Sequence, residues 1–377
     1  MFDPRDRLFA IRSLTGLETQ SIIIPDYSKT VEETLKLFAL RWIRHYCDLE
    51  LLKNCLWLES TSTFALPSWV PNLSIPCDPE GIGAIWASHS KGVFVYQEEN
   101  QSLAVQGIEV ATISHITTSI RVSYTDLEIL ENCLSWQRLV LNGSSSKESF
   151  VSNAFFTTLA IGQIKEIIPS SYGSCPSFED CKKILSLSEG SGQYKRALLS
   201  PFADSLRRYL DGRSFFLTEE GHFGMCSQFS RCGDWVAVLL GCSNPLILRP
   251  TIVKSMNCFI VIGESYVEGL VSNQPFLGPI PEGWRLRAVD IEGLANVGYA
   301  NESTTTQQDP RVPLPPDWRY RYGSWEEPQE MEADNEEEMT LVWFENVVTG
   351  EKTDFDPRLT SEALRQRGVE LQELALI

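Results

Sequence analysis

Hydrophobic positions along the chain change period several times, and each change predicts an element. Leu8, Ile11 and Leu14 recur at helical spacing, which predicts a short helix over Arg7–Leu14. Ile22-Ile-Ile-Pro-Asp-Tyr-Ser28 reads as a short extended run. Ser28 is expected to cap a helix over about 29–49, because Val31, Leu35, Phe38 and Trp42 form one apolar stripe and Val31-Glu32 approximates a capping box. Leu66-Pro-Ser-Trp-Val-Pro71 is bracketed by prolines, so it is expected as an extended, packed loop with Trp69 as a core plug.

From Gly92 the period falls to two. Val93 and Val95 alternate with polar neighbours, Glu99-Asn100 makes a turn, and Leu103, Val105, Ile108 and Val110 form a returning strand bent at Gly107. Helical spacing returns between Thr125 and Leu210, with helices expected near 125–141, 149–162, 177–187 and 195–210. Four short apolar runs follow, at Ser214–Thr218, Asp234–Leu240, Pro245–Arg249 and Cys258–Gly263, punctuated by glycine as in a small barrel or sandwich. The early hairpin is expected to join this sheet across the helical insert. Asn301–Pro310 is polar and repetitive, which reads as a linker.

The fold class predicted is therefore α+β, with helical segments around a small antiparallel β barrel or sandwich; a three-stranded sheet at the C-terminal end is implied by the resemblance that the tail carries. The expected boundaries are a domain over 1–295 (helical insert at about 125–210, main β region at about 212–270), a linker over 296–312, and a β module over 313–359. An acidic insertion interrupts that module at 326–338, and a helical tail occupies 360–377.

Composition narrows the function classes. With 377 residues, 43% of them apolar and 22% charged, the chain can bury one large core or two moderate ones. A net charge of −18, with 32 scattered Lys and Arg, opposes a phosphate backbone and argues against nucleic acid as a partner. Met1-Phe-Asp-Pro-Arg-Asp6 lacks the basic and apolar regions of a secretory signal, so the ten cysteines are expected as reduced thiols in the cytoplasm. The most apolar stretch, Trp235–Gly241, is far shorter than the about 20 residues that cross a bilayer, so no membrane partner is expected. Glu326–Glu338 carries eight acids and no base, which reads as a solvated loop or, alternatively, a docking site for a basic partner.

Candidate chemistry is sparse. There is no Gly-x-Ser-x-Gly elbow and there are four histidines in all. Asp6, His45, Cys47 and Asp48 could be drawn as a triad, but His45 and Cys47 sit two apart on one helix and point about 200° from one another. His89 and His115 fall in or beside the first hairpin. Gly190-Ser-Gly192 and Asn142–Lys147 lack the spacing of phosphate loops and read as turns. Cys175 with Cys181, and Cys226 with Cys232, lack a histidine at zinc-ligand spacing, although His222 precedes Cys226. Glu219-Glu-Gly221 reads as a hairpin turn. Asp234 and Arg249 either pair across the sheet or stand as surface charges. No catalytic set, cofactor or metal is expected.

Taken in order, Asp3–Ala10, Pro25-Asp-Tyr-Ser28, Leu66–Pro71, Gly212–Gly221, Gly233–Gly241, Pro245–Pro250 and Gly263–Gly269 resemble strings of fungal heterokaryon-incompatibility (HET) proteins. The resemblance spans roughly residues 2–270 and corresponds to the end of the HET domain and the region downstream of it. In that family the HET domain, related in fold to TIR-like signalling domains, triggers cell death when non-self is sensed. Its Tyr-x-x-Leu-Ser-Tyr-x-Trp-Gly type of motif has no counterpart here. If the chain is complete, the resemblance implies a sensing, packing or inhibitory role instead of killing.

The tail resembles a WW domain. Leu314-Pro-Pro-Asp-Trp318, Trp343-Phe-Glu-Asn346, Thr349–Thr353 and Asp356-Pro-Arg358 match its opening, its middle strand, its third strand and its closing proline. The resemblance implies a structural buckle of Trp318, Phe344 and Pro357, with Trp343 on the opposite face, where WW domains clamp proline-rich peptides. The second clamp position falls on Asp354, and Phe355 is one residue out of register. Thr360 is expected to cap a short helix ending at Gly368. The expected function is a non-enzymatic role in fungal non-self recognition, or regulation of a HET partner. The alternatives are an adaptor that recruits a protein or proline-rich peptide through the tail, and an enzyme remnant related to TIR-like NAD hydrolases.

Overall fold

The computed structural model describes residues 3–57, 64–73, 81–83, 85–121, 123–143, 148–168, 175–185, 201–291, 294–322 and 342–377. Two compact units divide the chain, one of residues 1–122, 209–272 and 370–377 and the other of 123–208 and 273–369.

The first unit is built on eight strands: β1 (Phe94–Gln97), β2 (Ser102–Ile116), β3 (Arg213–Thr218), β4 (Phe223–Ser227), β5 (Trp235–Leu239), β6 (Leu246–Val253), β7 (Met256–Val267) and β14 (Gln372–Leu376). Neighbours follow the order β1-β2-β3-β4-β7-β6-β5, and β5 returns to β2, so β2 to β7 close into an antiparallel barrel. Of the two expected alternatives, the barrel is the one formed. β2 serves both ends of the ring: its Gly107–Thr112 part pairs with β5 and its Ile113–Ile116 part with β3, with register shifts after Glu109 and after Ile113. Such bulges let one long strand bend around a corner. The helical insert does separate the early hairpin from the strands it joins.

After α1 (Asp6–Ile11) and α2 (Leu17–Ile22), helix α3 (Val31–Tyr46) covers this barrel's core, where Leu35, Ala39 and Ile43 cluster with Val105, Leu239, Leu248 and Val261. Trp69 is fully buried in the same core and its indole N–H donates to the Gln101 carbonyl at 3.2 Å. Because helices and loops cover the outside, Val236, Ala237, Val238 and Leu239 of β5 are all buried, which explains an unbroken apolar run where alternation would otherwise be seen. The cap of α3 differs from expectation. Ser28 Oγ donates to Asp26, while Thr30 Oγ1 accepts from the Glu33 N–H at 3.2 Å and the Glu33 carboxylate accepts from the Thr30 N–H at 2.9 Å. That reciprocal box starts the helix at Val31, and it ends at Cys47 in the left-handed region.

Gly241 closes the turn between β5 and β6 at φ +87°, and a Cβ there would meet the Gly92 backbone. Both effects oppose a side chain. Gly241→Ala is expected to cost about 2–4 kcal/mol, from strain plus a clash that only backbone movement relieves, measured by chemical denaturation.

The second unit contains α4 (Asp126–Gly143), α5 (Glu148–Leu159), α6 (Phe178–Leu185) and α7, which runs from Pro201 to Leu210. The stretches 169–174 and 186–200, including Gly190-Ser-Gly192 and the start of the fourth expected helix, lie outside the described residues, as does the acidic insertion. Residues 296–312, read as a linker from composition, carry most of β9 (Leu294–Ala300) and all of β10 (Thr305–Thr306), which with β8 (Arg285–Ile291) form a three-stranded sheet. Asp309 at its end is buried, because Arg311 forms a bidentate pair with it and donates to the Tyr299 hydroxyl. A separate three-stranded antiparallel sheet follows, of β11 (Trp318–Tyr322), β12 (Val342–Asn346) and β13 (Lys352–Thr353). Thr360 caps the helix Ser361–Gln366 as expected, and Gly368 sits at φ +81°. The tail beyond it is not helical: Leu374 and Leu376 alternate into the barrel core as β14.

Candidate functional site

A group of ionisable side chains lies together in the barrel unit, and only the fold assembles it. The 3-10 turn Glu50–Asn54 sets Glu50 and Lys53 on one side, with Lys53 Nζ 2.6 Å from Glu50 Oε2. The turn after β5 presents Ser243, whose N–H and Oγ donate to the two Glu50 oxygens at 2.5 and 2.8 Å. Lys53 Nζ donates to Ser243 Oγ at 3.1 Å. Beside them, Asn244 Nδ2 donates to Glu264 Oε2 at 2.9 Å and to the Ile82 carbonyl at 3.0 Å. Glu264 Oε1 accepts from the Ile82 N–H at 2.7 Å and faces Arg213 at 3.6 Å.

A serine hydroxyl within reach of a lysine amine is the geometry of a serine–lysine nucleophile pair, which requires the amine neutral. Here it is held charged: burial works to lower the Lys53 pKa, but the charge and hydrogen bond of Glu50 outweigh it and raise the pKa above the ordinary lysine value. Ser243 is itself fully buried. The Glu264 pKa is raised as well, but by burial, against the opposing pull of Ile82, Arg213 and Asn244, so its charge is disfavoured where that of Lys53 is favoured. The group therefore anchors Ile82 and the β5–β6 turn. The sequence signal was the charge of Glu264 inside the apolar run Cys258–Val267, because an acid in a buried strand must be paired.

Asp234 and Arg249 form the second buried pair, bidentate at 2.9 and 3.0 Å, and Arg249 also donates to the Phe229 carbonyl at 2.8 Å. The Arg231 N–H donates to Asp234 Oδ2 at 2.8 Å. Of the two sequence readings, cross-sheet pairing is the one realised.

Glu268, at the end of β7, accepts from the Tyr266 hydroxyl at 2.9 Å. Burial pushes its pKa from 4.5 up to about 7, against the opposing effect of that hydrogen bond. A folded-state pKa above the unfolded one means the native chain binds the proton more tightly, so this contribution to stability is full below about pH 4.5 and is lost as pH rises through 7. Denaturation midpoints are expected to fall over that interval by the equivalent of roughly 1–3 kcal/mol, and Glu268→Gln is expected to flatten the trend.

The histidines are not assembled into a site. His45 packs edge-on against Tyr46, and Asp6 accepts from the Tyr27 hydroxyl, so the drawn triad does not form. His89 stacks with Trp86 at 4.4 Å and His115 lies on β2 opposite Leu217. His222 sits in the turn of the β3–β4 hairpin, where Leu217 faces Phe223 as expected. Cys226 is buried, with its thiol pKa pushed up to about 12 by burial.

In the tail sheet, Trp318 and Phe344 occupy the face they share with Tyr320, whose ring lies 5.2 Å from that of Phe344. Phe344 and Pro357 are buried and Trp318 is half-buried. Asn346 Oδ1 accepts from the N–H groups of Val348 and Thr349 and holds the turn into β13. Trp343 lies on the other face, opposite Arg321, with Lys352 Nζ 5.1 Å from its ring centre and 9% of its surface exposed. Asp354, at the second clamp position, is exposed.

A strand-closed ring with short glycine turns defines a small β-barrel class, and residues 171–275 match the family model of the Het-6 beta-barrel domain. Within curated proteins, a stretch of 67 residues is 33% identical to heterokaryon incompatibility protein 6, OR allele, of Neurospora crassa. That stretch covers 18% of this chain and 10% of the Neurospora protein, so the chain spans about a tenth of that relative's length. No solved structure matches the chain. Among the described residues, no helix is long and apolar enough to cross a membrane.

Proposed function

We propose that this chain acts in fungal heterokaryon incompatibility as a non-enzymatic framework in the cytoplasm, recognising or regulating a HET protein partner. The observation that carries the reading is the Het-6 barrel match over 171–275, joined by the partial identity to the Neurospora incompatibility protein. The non-enzymatic part is supported by chemistry: Lys53 is held charged beside a fully buried Ser243. The test is genetic. Two strains that differ at this locus are paired before and after its disruption in one of them. Disruption is expected to permit stable fusion, and unchanged rejection would count against the reading. Incubation of the chain with NAD is expected to release no nicotinamide above buffer, which separates this reading from that of an NAD hydrolase.

Burial of Trp343 favours a structural cap over an adaptor groove for the tail sheet. Trp343→Ala is accordingly expected to lower stability by about 3–5 kcal/mol, as for other buried aromatics. An adaptor would instead keep its melting temperature and lose its partner.

A further inference from the structure

Within the barrel unit, Ile85–Ser90 lies against the turn between β5 and β6 as a strap tied to it by hydrogen bonds. The Ile85 N–H donates to Asn244 Oδ1 at 3.2 Å, the Ala87 N–H donates to the Ser243 carbonyl at 2.8 Å, and Ser90 Oγ accepts from the Gly241 N–H at 3.0 Å. The Ile85 carbonyl accepts from the Ser272 N–H at 3.0 Å, and the Ser88 and Ser90 hydroxyls bond to each other at 2.6 Å. Of the strap's apolar side chains, the methyl of Ala87 is fully buried, Ile85 is half-buried and Trp86 is 48% exposed. Trp86 adopts φ +55°, a conformation that crowds the Cβ of a bulky side chain. Both its neighbours are bonded to the barrel turn, so the closed strap holds Trp86 in a backbone state it would leave on release. The Trp86 ring leans on that of His89, 4.4 Å away, a contact within the strap that moves with it.

We propose that Ile85–Ser90 opens as a unit while the barrel strands stay paired, and that this opening controls the access of water to Ser243 and Asn244. A segment that buries little apolar surface and rests on a few hydrogen bonds opens at lower cost than a core strand. Here the loss of those bonds is offset in part by relief of the left-handed strain at Trp86. The displacement ends at Gly92, whose N–H donates to the Cys47 carbonyl at 2.7 Å and whose backbone lies against that of Gly241. Opening takes the Ala87 N–H from the Ser243 carbonyl and the Ile85 N–H from the Asn244 amide, two residues at 0% exposure while the strap is shut. Ser243 donates to Glu50 and Asn244 to Glu264, so the state of the strap decides whether water reaches the groups that hold these two acids.

Amide hydrogen exchange of the intact chain, read residue by residue, tests this. The reference is Ile113, whose N–H joins β2 to the Asp234 carbonyl at 2.9 Å. Protection factors at Ile85 and Ala87 are expected to be at least about tenfold lower than at Ile113. Equal protection at the three amides would mean that the strap leaves only with the barrel, and overturns the proposal. Trp86→Ala and Trp86→Gly then isolate the strain, because both remove the ring and only glycine accepts φ +55° freely. Protection at Ala87 is expected to be about three- to tenfold higher in Trp86→Gly than in Trp86→Ala, with Ile113 the same in both. The same protection at Ala87 in the two variants, or a difference at Ile113 as large as that at Ala87, overturns the proposal equally.

Discussion

Asp234→Ala is expected to destabilise the barrel by about 3–5 kcal/mol, because it strips a buried guanidinium of its counter-charge. Arg249 would keep the Phe229 carbonyl, at 2.8 Å, but no longer its bidentate carboxylate, in a position where its side chain is 6% exposed. The same substitution also removes the acceptor for the Arg231 N–H. Exchanging both charges together, as Asp234→Leu with Arg249→Met, is expected to cost far less, since no lone charge remains buried. Equilibrium denaturation of the single and double variants distinguishes the two cases. A loss under about 1 kcal/mol for Asp234→Ala would mean that water reaches the pair.

The second large effect is expected in the other unit. Arg358 is bidentate with Asp356, donates to the Val312 carbonyl at 2.6 Å, and stands 3.5 Å from Asp309. Burial works against its charge, but Asp356 outweighs that and holds the guanidinium protonated. Arg358→Ala is expected to cost about 3–5 kcal/mol. Arg358→Lys should recover little, because an ammonium cannot reproduce the planar fork. Asp309 adds a pH signature. Burial would raise its pKa, but Arg311 and Arg358 together hold it below the ordinary carboxylate range. Its contribution is thus present above about pH 4 and lost as pH falls through the depressed value, opposite in sign to that of Glu268.

The parts of the fold set by local period were legible in the sequence. The stripe of Leu35 and Phe38 gave α3, and the runs beginning at Ser214, Asp234, Pro245 and Cys258 gave four staves of the barrel. Gly212, Gly221, Gly233 and Gly241, placed between those runs, all adopt positive φ. What could not be read was set by long-range pairing. Gln372–Leu376 is too short to declare itself as a strand, and it becomes one only because β2 and β7 leave a gap for it. Asn301–Pro310 reads as a linker because it is polar and repetitive, yet Asp309 is buried through its pair with Arg311. The Glu50–Lys53–Ser243 group joins residues about 190 positions apart, so no spacing rule could bring it to light.

We propose that the polar clusters of this barrel hold the frame and do no chemistry, and the reactivity of Ser243 decides the matter. The intact chain is exposed to a serine-reactive fluorophosphonate, alongside Ser243→Ala. The expected result is no labelling of either chain and a lower melting temperature for the variant. Labelling of the unsubstituted chain that disappears in Ser243→Ala would contradict the account, because it would show a hydroxyl activated by a neutral Lys53.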